Sequence, residues 1–201
     1  MLHTGLPSLD MVCYSRPCPG YILHALLTTA PHRNRPVDFD INVKYIKNSL
    51  RVASPEMDTI RACARENGIA VSLGFSENDD DSLYIAQALI GADGEVKVHR
   101  RKMKPTHMER TIFGDASGAG QGGSGSCLSS VAQLPFARVG QLSCWEHIQP
   151  LLKFNTIAQR EQIHVAAWPS VTPHSGTGPD LWSMSAEGRW PLFSIRHLWR
   201  D

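Results

Sequence analysis

From Phe136 the chain reads Phe136-Ala137-Arg138-Val139-Gly140-Gln141-Leu142-Ser143-Cys144-Trp145-Glu146-His147-Ile148-Gln149-Pro150-Leu151-Leu152, and this stretch decides the fold. Phe136 to Leu142 is an apolar run of strand length that leads directly into Ser143-Cys144. His147 to Glu161 then places Leu151, Leu152, Phe154 and Ile157 at helical spacing. Ile163 to Pro169 follows as a second buried strand. Cys144 therefore stands where a strand ends and a helix is about to begin. Backbone N–H groups and the helix dipole at such a junction favour a thiolate and an anionic intermediate. A cysteine is equally at home in a core as a small hydrophobe, so position alone leaves both readings open.

Upstream, the same alternation repeats. Ile41 to Ile46 has near-helical spacing. Ser54-Pro55-Glu56 is a helix start, with a Ser cap, Pro in the first turn and an acid beside it. Met57, Ile60, Cys63 and Ala64 form its apolar stripe, and Asn67-Gly68 ends it. Ile69 to Phe75 reads as a strand, Asn78 to Asp81 as an acidic turn, and Leu83 to Ile90 as another strand. Ala92-Asp93-Gly94-Glu95 marks a tight hairpin into Val96 to His99. Strands alternating with helices predict a layered α/β architecture. Met1 to Pro36 shows little periodicity, and the Gly/Ser-rich stretch from Gly114 to Ser126 reads as flexible.

Composition excludes several classes. With 201 residues, 20 Lys+Arg against 19 Asp+Glu and a net charge of +1, the chain fits one domain and has no electrostatic footprint for nucleic acid or an anionic membrane. No apolar run reaches the roughly 18–20 residues of a membrane span. The N-terminus lacks the order of a secretory signal, so the five irregularly spaced cysteines read as reduced thiols in a cytoplasmic protein. The nine histidines give no zinc-finger spacing, and no metal is expected.

Two further residues carry candidate chemistry. Lys102 lies in the basic run His99-Arg100-Arg101-Lys102-Met103-Lys104, of a kind that is ordinarily a solvated face. Glu109 follows in a loop, where an isolated carboxylate is ordinarily exposed.

Taken together, these segments resemble the nitrilase and cyanide hydratase family of carbon–nitrogen hydrolases. Gly140 to Lys153 resembles the family's cysteine signature, and His99 to Gly114 its lysine segment. Asn48 to Asp79, with Ser-Pro-Glu-Met and Leu-Gly-Phe-Ser-Glu-Asn, and Glu161 to Pro169 agree. The likeness runs from about Pro19 to Gly188, which gives an incomplete domain over residues 19–188 and divergent ends at 1–18 and 189–201.

The resemblance implies a four-layer αββα sandwich, here partial, and a Glu–Lys–Cys triad. It implies Cys144 as nucleophile, Lys102 as the cation that stabilises charged intermediates, and Glu109 as a second glutamate beside the triad. It further implies hydrolysis of a nitrile to the acid and ammonia through a thioimidate and a thioester. No cofactor is needed, and the intact family forms homo-oligomers. His147 favours nitrilase over cyanide hydratase, where Asn is expected.

Departures from the pattern are local. The triad glutamate should precede Pro19-Gly20-Tyr21 by about four residues, yet position 15 is a serine and no Glu occurs before Glu56. The opening strands, the end after Gly188 and an insertion around Ala119 to Ser126 also depart, as in a truncated copy of a longer enzyme. Unless Glu109 substitutes, the thiol lacks its base. The alternative readings are an inactive family fragment that assembles with family subunits, and a cyanide hydratase.

Overall fold

The computed structural model describes residues 22–26, 38–120, 125–167 and 193–195. Pro19-Gly20-Tyr21, Ser15, Trp168-Pro169 and Leu181 to Gly188 lie outside the described residues.

Among the described residues, eight strands form two four-stranded sheets. β1 (Ile22–Leu26), β2 (Ala70–Asp79), β3 (Ser82–Ile90) and β4 (Val96–Arg101) make the first, in that order. β5 (Val131–Gln133), β6 (Arg138–Ser143), β7 (Ile163–Ala167) and β8 (Phe193–Ile195) make the second. β1 runs parallel to β2, β6 runs parallel to β7, and the other pairs are antiparallel. The helices are α1 (Phe39–Lys47), α2 (Pro55–Asn67) and α3 (Pro150–Ala158). Short 3₁₀ turns span His107–Thr111 and Cys144–Ile148.

Strand alternation assigns the layers. Val71, Leu73, Phe75, Ala86, Ala88 and Ile90 point to one face of the first sheet and meet Met57 and Ala64 of α2. The opposite-facing residues Ala70, Leu89 and Val98 meet Val139 and Val165 of the second sheet, with Leu134 and Ala137 filling the gap. One sheet is thus covered by a helix and by another sheet, in an α/β sandwich. α2 has the ends the sequence predicts: the Ser54 side chain accepts the Met57 N–H, and Gly68 closes the helix at φ 62°. Among the described residues no helix is long and apolar enough to cross a membrane.

Several expectations need correction. The acidic turn shrinks to Asp80 and Asp81, both at positive φ, because β2 and β3 stay paired up to Asp79 and Ser82. β1 forms where the sequence showed no periodicity, since five residues are too few to reveal one. The helix expected from His147 begins at Pro150, after the 3₁₀ turn, and buries Leu152 and Thr156 while Leu151 and Phe154 stay exposed. The described part of the Gly/Ser-rich stretch is tied down by main-chain bonds: Gly114 N–H to the Leu83 carbonyl, Ala116 N–H to that of Met103, and Gly125 N–H to that of His99.

Candidate active site

From Arg100 to Lys102 the basic run is not a solvated face, whereas Lys104 is exposed. Arg100, Arg101 and Lys102 are 0%, 0% and 2% exposed, because strand alternation sends consecutive residues into two different interiors. His99 and Arg101 point to one side, where both bond Glu77: His99 Nε2 lies 2.9 Å from Oε2, and Arg101 donates to Oε1 at 2.6 Å and to Oε2 at 3.0 Å. The Arg101 guanidinium also sits over the Tyr84 ring and donates to Asp79. Burial pushes the Glu77 carboxyl up, but His99 and Arg101 outweigh it and hold the group below its ordinary range.

Arg100 points to the other side, between the sheets. Its guanidinium donates to the Gln87 carbonyl oxygen at 2.6 Å, to the Cys127 main-chain carbonyl at 3.1 Å, and to Glu146 at 2.7 and 2.9 Å. Gln87 in turn donates to the Leu142 carbonyl of β6.

Glu146 is the junction of the site. Its carboxylate, 3% exposed, accepts two N–H bonds from Arg100, one from Met103 N–H at 2.9 Å and one from Ser143 N–H at 2.9 Å. Each oxygen thus takes one guanidinium donor and one backbone donor. Met103 adjoins Lys102 and Ser143 adjoins Cys144, so a single carboxylate ties the chain just past β4 to the end of β6. Burial pushes the Glu146 carboxyl up, and Arg100 with the two backbone donors holds it below the ordinary value. Such a saturated carboxylate is a clamp and not a proton acceptor.

Lys102 continues the inward face of β4. Its Nζ donates to Glu109 Oε2 at 2.6 Å and to Thr106 Oγ1 at 3.3 Å, with the lysine side chain 1% exposed and that of the glutamate 25%. Glu109 is not a loose loop carboxylate. It sits on the 3₁₀ turn, where the same Oε2 accepts the Thr106 N–H at 2.6 Å. Lys102 and Glu109 are thus joined, and the Thr106 turn sets their spacing.

Cys144 is the first residue of its 3₁₀ turn, 7% exposed, with φ 48°. A left-handed backbone at a residue other than glycine costs roughly 1–2 kcal/mol, and such strain persists only where the surroundings impose it. The Ser143 N–H bond to Glu146 and the Cys144 carbonyl, which takes an N–H from His147 at 2.6 Å, impose it here. The sequence reading missed both restraints. The signal available for them was the position of Glu146 and His147 each three residues past the group it holds.

A groove of about 1100 Å³ lies beside the corner, lined by Met103, Pro105, His107, Trp145 and Leu151 among others. It takes in the immediate neighbours of Lys102 and Cys144 but neither residue itself. Trp145 is 47% exposed there, edge-on to His107 at 6.4 Å. Among the described residues no three His, Cys, Asp or Glu side chains gather in a way that would hold a metal ion.

Comparison with known proteins gives consistent findings. A family model, carbon–nitrogen hydrolase, matches residues 17–190. An arylacetonitrilase of Hypocrea virens is 70% identical over 156 residues, covering 77% of this chain and 45% of the relative. An arylacetonitrilase of Aspergillus kawachii is 59% identical over 154 residues, covering 77% and 44%. The chain therefore spans less than half the length of these curated relatives. Among solved structures, a carbon–nitrogen hydrolase from Helicobacter pylori superposes with a TM-score of 0.53 at 13% identity, covering 76% of this chain and 47% of that one. A Saccharomyces cerevisiae member of branch 10 of the nitrilase superfamily gives 0.54 at 17% identity, covering 78% and 54%. At those identities the likeness is one of fold.

Proposed function

This chain belongs to the carbon–nitrogen hydrolase family, and from that premise we propose that it hydrolyses nitriles to carboxylic acid and ammonia, with Cys144 as nucleophile. Lys102 is the cation of this scheme and Glu109 its carboxylate. A nitrile carbon is a weak electrophile, which calls for a thiolate. Attack by the Cys144 sulfur forms a C–S bond and places the electron pair on nitrogen, where the Lys102 ammonium stabilises it. Glu109, bonded to Lys102, takes the thiol proton, passes it to the nitrile nitrogen, and as a carboxylate again polarises water. Water adds to the thioimidate, ammonia leaves, and a second water releases the acid from the thioester with the thiol regenerated.

The observation that carries this reading is the Glu146 clamp, which holds the residues next to Cys144 and next to Lys102 to one carboxylate. The names of the curated relatives make arylacetonitriles the first substrates to try. A nitrile partner, self-assembly and a cytoplasmic location belong to the same proposal. A second reading, a silent family chain that joins longer subunits, draws on Ser15 standing where the family's triad glutamate is expected.

The test incubates the purified chain with phenylacetonitrile and with an aliphatic nitrile and measures ammonia and acid. Release that vanishes in Cys144→Ala is expected. A folded protein that releases neither overturns the hydrolase reading and leaves the silent one.

A further inference from the structure

A second hydrogen-bonded chain ends on the candidate nucleophile, through its main chain. Glu161 Oε2 lies 2.7 Å from His164 Nδ1, His164 Nε2 lies 3.0 Å from His147 Nε2, and His147 Nδ1 lies 2.6 Å from the Cys144 carbonyl oxygen. The two rings meet edge to face, with centroids 5.1 Å apart. Glu161 is 2% exposed in its side chain and His164 12%. Gly140 makes room for the arrangement: a Cβ there would stand 2.0 Å from Glu161 Oε2. Gly140 is also the register partner of His164 between β6 and β7.

Counting donors fixes the protons. A carbonyl only accepts, so His147 carries its proton on Nδ1. A neutral His147 then has a lone pair on Nε2, which His164 meets with an Nε2–H. His164 and Glu161 share one further proton across their contact. A second proton on His147 would set two N–H groups against each other at 3.0 Å.

We propose that His147 is a positioning residue for the Cys144 thiol: kept neutral and in one tautomer by His164 and Glu161, it holds the Cys144 carbonyl and so the left-handed backbone of that residue. The inference rests on Cys144 being the nucleophile. The charged and titratable groups facing His147 are Glu146 on its own turn, Arg100 from β4, and His164 of β7 with Glu161 before it. Burial above all, with His164 and Arg100 adding to it, pushes the imidazole down to about 4 against the opposing pull of the Cys144 carbonyl and Glu146.

Peptide-level mass spectrometry of iodoacetamide alkylation tests this in the full chain, with buried Cys127 as internal reference. In the unmodified protein Cys144 alkylates faster than Cys127. In His147→Ala its rate falls by about tenfold at neutral pH, the scale of one lost hydrogen bond to a restrained backbone. His147→Asn, whose amide still reaches the carbonyl, restores most of the rate. Gly140→Ala, which displaces the Glu161 carboxylate, lowers it while leaving His147 in place. Long-range ¹H–¹⁵N spectra of the unmodified protein show the His147 proton on Nδ1 and its titration near the same low pH.

A proton found on Nε2 overturns the inference, as does a Cys144 rate unchanged in both His147→Ala and Gly140→Ala. Equal alkylation of Cys144 and Cys127 in the unmodified protein overturns the nucleophile reading instead.

Discussion

Replacing Glu146 by Gln changes one atom and tests the whole corner. Each carboxylate oxygen accepts one guanidinium N–H and one backbone N–H, so the new amide nitrogen meets one of each in either orientation. Arg100, fully buried, also loses its counter-charge and keeps only Gln87 and the Cys127 carbonyl. Removing one partner of a buried pair costs roughly 3–5 kcal/mol, and an orphaned backbone donor costs about 1–3 kcal/mol, part of which is the same loss counted twice. A net cost of about 4 kcal/mol is large against a total stability of roughly 5–15 kcal/mol.

Urea unfolding followed by tryptophan fluorescence reads it as a fall in midpoint at unchanged slope. Adding Arg100→Met removes the stranded charge, so the double variant loses about 1–3 kcal/mol less than the two single losses added together. The pH dependence has a definite sign. Glu146 is held below its ordinary value of 4.5, so its contribution is complete above that value and drains away as pH falls through the lower folded value. The variant lacks that acid-sensitive part. A loss under about 1 kcal/mol at neutral pH, or an unchanged acid profile, would refute the view that this carboxylate carries the corner.

Three other outcomes are expected. Because Cys144 sits at φ 48°, Cys144→Gly is at least as stable in urea as Cys144→Ala, by up to about 1 kcal/mol, reversing the usual helix order. His147 is neutral when folded but titrates near 6.5 when unfolded, so stability is full above pH 6.5 and falls toward pH 4 at up to ~1.4 kcal/mol per pH unit. Pulse proteolysis across that range detects the slope, which His147→Asn abolishes. Lys102→Met leaves Glu109, among the described residues, with the Thr106 N–H; because Glu109 is partly open to water, the cost is about 1–2 kcal/mol by denaturant midpoint, and the proposed hydrolysis requires that ammonia release from nitrile be lost as well.

Much of the fold was legible because its signals are local. Ser54-Pro55 and Gly68 bound a helix by cap chemistry alone, and the turn residues around Gly94 mark its hairpin locally, even though Arg61 of α2 also donates to the Gly94 carbonyl. The candidate site was read from the sequence as a set of residues and not as an arrangement. Lys102, Glu109 and Cys144 were singled out, whereas Arg100 and Arg101 looked like solvated charge. Their burial depends on Glu146 and Glu77, which lie 46 and 24 residues away in sequence. No one-dimensional pattern shows that a carboxylate from another strand or turn will meet each guanidinium. α3 shows the converse: Leu151 and Phe154 have helical spacing, yet spacing cannot say which side of a helix is covered.

The order of residues in Ser143-Cys144-Trp145-Glu146-His147 follows from the geometry of a 3₁₀ turn. With three residues per turn, side chains at i and i+3 stand over one another. Glu146 therefore lies over Ser143 and takes its N–H, and His147 lies over Cys144 and donates to its carbonyl. The main chain on both sides of the thiol's α-carbon is thus held by the two residues that follow one turn later. Trp145, the residue between, is turned outward to the groove. The same i to i+3 reach, from a residue one turn in back to the backbone N–H at the turn's start, is the capping box found at α-helix N-termini. One residue past Ser143 the backbone is left-handed at the thiol, and Glu146 reaches back to Ser143 while also meeting Arg100 and Met103. Apolar packing is non-directional and would not fix such a bend, whereas four N–H bonds converging on one carboxylate do.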